Sequence, residues 1–70
     1  MMKSSTDIWF IAFLVRSGFP VKDFTLIAKG KAKYFFDISD EDWKRCKMEF
    51  HNSEISQYKA IFEKLKDLIH

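Results

Sequence analysis

Cys46 and His51 are the one pairing in this chain with the residue types for a nucleophile and its base. A thiol becomes a useful nucleophile only beside a base or a positive field. Five residues apart on one helix is about 140° of rotation, so the two side chains point to different sides. Cys46 falls in line with Trp43 and Phe50, the pattern of a small buried apolar residue. His51 stands where a helix ends and suits its negative pole. The carboxylates Asp40, Glu41 and Asp42 have the chemistry for acid–base or metal work. They also open a helix, where negative charge is favoured without any ligand. Cys46, His51 and His70 are too few for a structural zinc. Gly30 stands alone between Lys29 and Lys31, which suits a hairpin tip better than a phosphate loop. The expectation is a non-enzymatic protein with no catalytic residue, no metal and no cofactor.

The basic residues suggest a binding chemistry instead. Lys22, Lys29, Lys31 and Lys33 gather around one hairpin, next to Tyr34 and Phe35. A basic ribbon with aromatics can follow a nucleic-acid backbone and stack bases, with Lys44, Arg45 and Lys47 as further contacts. The net charge of +2 and the isoelectric point near 8.8 are low for that role. Lysines on a hairpin also discourage edge-to-edge strand pairing. Nucleic-acid contact through Lys29, Lys31 and Lys33 is therefore the alternative reading.

The elements that must position these residues follow from the pattern. Ser4, Ser5 and Thr6 offer caps for a helix over 7–17, with Asp7 at its positive pole. Gly18 suits the left-handed end of that helix, Phe19 can fold back on Leu14, and Pro20 forbids continuation. Strands are expected over 21–28 and 32–38. A three-residue loop, Ala28-Lys29-Gly30, puts Phe24 and Leu26 on one face with Ala32, Tyr34 and Phe36. Asp23, Thr25, Ile27, Lys31, Lys33, Phe35 and Asp37 take the other. Ser39 and Asp42 match a capping box, Ile38 and Trp43 a hydrophobic staple, and a helix is expected over 40–51. Tyr58, Ile61, Phe62, Leu65, Leu68 and Ile69 recur at helical spacing and predict a helix over 54–69. His70, in last position, is expected to fray. The order α-β-β-α-α predicts a small single α+β domain, with a two-stranded antiparallel hairpin packed on helices.

Size sets the next constraint. Seventy residues bury only about 60% of the surface that the unfolded chain exposes. One cysteine excludes an internal disulfide. An aromatic core and self-association remain as sources of stability. Ile8 to Val15 is apolar on every side of a helix, without the polar stripe of a surface helix. Either the sheet and the last helix cover it, or a partner does. The expected contact is a homodimer or other protein interface through Trp9, Phe10 and Phe13. It fails if all three are enclosed within one subunit. The same apolar run is far too short for a membrane span and no cleavage site follows it, so no membrane contact is expected. The lone cysteine fits a cytoplasmic location.

Ser5-Thr6-Asp7, Ala12 and Leu14, Gly18, Tyr34-Phe35-Phe36 and the tail from Tyr58 to Leu65-Lys66 together resemble a small domain-of-unknown-function family of bacteria and their phages. The resemblance spans about Ser4 to Ile69. It implies a stand-alone domain of bacterial or phage origin and carries no catalytic or binding residue across.

Overall fold

In a computed structural model, which describes residues 2–68, six elements form in the order β1 (Met2–Ser5), α1 (Ile8–Arg16), β2 (Asp23–Ala28), β3 (Lys31–Asp37), α2 (Asp40–His51) and α3 (Glu54–Leu68). Ile69 and His70 lie outside the described residues. The fold is α+β, as expected, but its sheet has three antiparallel strands in the order β1-β3-β2. The two-stranded hairpin is thus corrected, and the chain opens on a strand. Met2-Lys3-Ser4-Ser5 has no aromatic or β-branched residue to announce a strand. It forms because β3 has a second edge to satisfy: Lys3 lies opposite Phe36, and Ser5 opposite Tyr34.

The hairpin register agrees with the alternation in the sequence. Phe24 lies opposite Tyr34 and Leu26 opposite Ala32. The three-residue loop is corrected: Ala28 pairs with Lys31, and β3 starts at Lys31 rather than at 32. The turn is Lys29-Gly30, with Gly30 at φ 74°, and the register is kept by an irregularity between Leu26 and Ala28. β2 starts at Asp23 rather than at 21, although the Lys22 N–H still donates to the Phe35 carbonyl at 2.8 Å.

Each helix end has a local cause. α1 is capped by Asp7 itself, whose Oδ1 accepts from the Trp9 N–H at 3.0 Å. Gly18, at φ 101°, ends it: the Gly18 N–H reaches Val15 O at 3.1 Å and the Phe19 N–H reaches Leu14 O at 3.0 Å. Ser39 Oγ accepts from the Asp42 N–H at 3.1 Å and starts α2. Ser53 joins the last two helices: its hydroxyl donates to Phe50 O at 2.6 Å and accepts from the Ser56 N–H at 3.4 Å.

Among the described residues the buried core is Phe10, Ile11 and Leu14 of α1, Phe36 and Ile38 at the end of β3, and Cys46 of α2. Trp43 and Phe50 pack on it edge-to-face around Phe10, with ring centroids 5.2 and 5.4 Å away. Each such pair contributes about 0.5–1.5 kcal/mol beyond its area. The core lies at one end of the sheet, beneath β1 and β3. The β2 half of the same sheet face carries no such layer, and all six residues of β2 are exposed.

α3 is held to α1 at a single corner. Asp7 Oδ2 accepts from Lys59 Nζ at 2.6 Å, and Trp9 meets Phe62 with ring centroids 5.6 Å apart. Asp7→Ala removes both the cap and the ion pair, and is expected to cost about 1–2 kcal/mol in urea unfolding. Asp7→Asn keeps a capping oxygen and should cost less. Equal losses for the two variants would show that the cap contributes nothing.

Candidate interaction surface

The two residues with nucleophile–base chemistry are separated. Cys46 is sealed in the core and burial pushes its thiol up, while His51 is exposed in the last turn of α2. The acidic run is engaged as the helix start requires. Asp40 pairs with Lys3 of β1, and Asp42 with Arg45 at 2.8 Å. Among the described residues no group of three or more His, Cys, Asp or Glu is placed to hold a metal ion. Within the same limits, no helix is long and apolar enough to cross a membrane.

The basic residues divide. Lys29 and Lys31 are exposed at the hairpin tip, and Lys33 is half-buried. On α2, Arg45 is engaged with Asp42, and Lys47 lies over the rings of Phe10 and Trp43, 5.7 and 5.3 Å from their centroids. Lys44 is exposed.

The three aromatics expected at an interface also divide. Phe10 is 4% exposed, so it belongs to the core and cannot line an outer surface without unfolding. Phe13 is half-buried against Phe50, 5.7 Å between centroids. Trp9 is half-buried and faces α3 through Phe62. α2 and α3 both pack against this all-apolar helix and Phe10, Ile11 and Leu14 are buried, but Ile8, Ala12 and Val15 stay exposed.

Further uncovered apolar surface lies on the hairpin and on the stripe of the last helix. Phe24, Leu26, Tyr58, Ile61, Leu65 and Leu68 are all more than half exposed, and Leu26 reaches 73%. No residue of α3 is buried. The helical spacing of its stripe was visible in the sequence. Its outward rotation was not, because α3 uses Lys59 and Phe62, at the margin of the stripe, to meet α1.

Two hollows connect these patches. One, of about 390 Å³, lies between Ile8 and the sheet residues Leu26, Ala32 and Tyr34. The other, of about 460 Å³, lies between Trp9 of α1 and Phe62 and Lys66 of α3. They share Thr6, Ile8 and Lys31, so they run together as one trough. The open half of the sheet forms one wall, the start of α1 the floor, and α3 the other wall. No family model, curated protein or solved structure matches the chain.

Two outcomes test this assignment of the polar groups. The Lys3 ammonium, by its hydrogen bond and its charge, holds the Asp40 carboxyl below the ordinary range. The folded value lies below the unfolded one, so the pair stabilises the fold above the ordinary carboxylate range and fades as pH falls through the depressed value. In an NMR pH titration Lys3→Met should move Asp40 back up toward its ordinary value; an unmoved midpoint would remove Lys3 as the cause. The Cys46 thiol should resist an aromatic disulfide reagent at pH 8 in the native protein and react at once in guanidinium.

Proposed function

We propose that this chain is a small non-enzymatic protein-interaction domain that self-associates, with the trough and the neighbouring α3 stripe as its working surface. The observation that carries this reading is area. The chain exposes 5539 Å², whereas a compact monomer of its mass exposes about 4,600 Å². The excess is about 900 Å², close to the ~800 Å² that each partner contributes to a standard interface. The radius of gyration, 13.1 Å against about 11 Å for a compact chain of this length, points the same way. So does composition: Phe24, Leu26, Tyr58, Ile61, Leu65 and Leu68 are more than half exposed, and apolar and aromatic residues are the chemistry of interface centres rather than of solvated faces. The contact expected at the first helix keeps Trp9, joined by Ile8 at the trough floor, and loses Phe10.

Light scattering over a range of concentrations tests it. The expected mass rises from that of one 8.4 kDa chain to twice that value. Leu65→Glu places a charge on an exposed site, so the fold should survive while dimerisation weakens more than tenfold. A single 8.4 kDa species at every concentration overturns self-association.

A further inference from the structure

The α3 end of the trough is polar, and its charges do not cancel. The hollow there, of about 460 Å³, is open to solvent and lies in the size range of small-molecule sites. Three lysines and two carboxylates line it. Lys59 is already engaged, because its Nζ donates to Asp7 Oδ2 at 2.6 Å. Lys31 and Lys66 make no ion pair among the described residues. They stand on separate elements, one at the start of β3 and the other in the last turn of α3. Glu63 is the carboxylate left to oppose them. Two ammonium groups that face one hollow repel each other, and an anion between them turns that repulsion into attraction.

Ring surface lies beside the charge. Trp9 of α1 and Phe62 of α3 line the same hollow, with centroids 5.6 Å apart and planes tilted by 59°. Aromatic side chains so placed take a further flat ring by stacking. Thr6, exposed at the same hollow, adds a hydroxyl that can donate or accept.

We infer that this hollow binds a nucleotide, a small molecule that joins a phosphate to a flat ring. The phosphate lies between Lys31 and Lys66, and the ring lies on Trp9 and Phe62. Lysine suits that role, since it meets phosphate as a compact point charge. Glu63 sets the other half of the specificity: its carboxylate repels a bare polyanion and accepts from a ring amine or a sugar hydroxyl. A phosphate ion alone would leave the two rings unused, and a nucleoside alone would leave the two lysines facing each other. No glycine-rich loop cradles the phosphate, so side chains alone hold it, and the expected Kd is about 100 μM. The hollow is complete within one chain, so binding there does not depend on self-association.

An NMR titration of the full chain with ADP, up to about 5 mM, tests the site. The Trp9 indole N–H and the backbone N–H groups of Lys31 and Lys66 should shift, while the Trp43 indole, in the collar around the core, stays in place. Lys31→Ala and Lys66→Ala, both at exposed positions, should each weaken binding about tenfold. Lys44→Ala removes the same charge from an exposed position on α2 and should change the affinity by less than about twofold. Adenosine and inorganic pyrophosphate should each bind about tenfold more weakly than ADP. The site is overturned by an absence of shifts, by shifts centred away from the hollow, or by an equal loss in Lys44→Ala. Adenosine or pyrophosphate binding as tightly as ADP overturns it too.

Discussion

A single residue, Asp7, connects three of the six elements. The backbone N–H of Asp7 donates to Ser5 Oγ at 3.1 Å, at the end of β1. Its Oδ1 caps α1, and its Oδ2 holds Lys59 of α3. The angle between the sheet, the first helix and the last helix is set within these few atoms. α3 makes an aromatic contact at the same corner, Phe62 against Trp9. α3 also packs against α2, and its ion pair and aromatic pair with α1 lie to one side of its stripe, so the rest of that stripe is left turned outward. The exposed band on α3 is thus the geometric result of how Asp7 and Lys59 meet.

The core has its own logic, and it is economical for so short a chain. Six apolar side chains, two of them phenylalanines, are enclosed among the described residues, and a collar of half-buried aromatics closes around them. Phe10 is the hub, meeting Trp43 and Phe50 by ring edge and Lys47 by ring face. This arrangement replaces the disulfide or metal that many domains of this size use. It also explains why the chain cannot cover its whole sheet. The buried and half-buried aromatics of the core are concentrated where α1, α2 and β3 converge, away from β2.

Much of the architecture was legible in the residues. Gly18, Gly30, Ser39 and the alternation through Phe24, Leu26, Tyr34 and Phe36 each dictate local geometry, and each is found as its chemistry requires. The first strand was not legible, because Met2–Ser5 pairs for the benefit of β3's edge and not through its own propensity. The surface was harder still. A run such as Ile8–Val15 shows that a helix must be covered, but not by what, and α2 and α3 cover it only in part, leaving Ile8, Ala12 and Val15 exposed. The apolar stripe of α3 shows periodicity, but which side turns inward depends on a partner fifty-two residues away, Asp7. Local pattern carries no information about that rotation.

The free edge of β2 has one more consequence. Its backbone faces outward along Asp23–Ala28, with Lys22 and Lys29 at the two ends. Another β2 strand added antiparallel and centred on this segment would set Lys22 across from Lys29. One added in parallel would set each lysine across from itself. Like charges facing each other across strands are unfavourable, so open-ended growth into fibres is opposed whichever way the newcomer runs. That protection is ionic, so concentrated salt, which shortens the reach of charge to a few ångströms, weakens it.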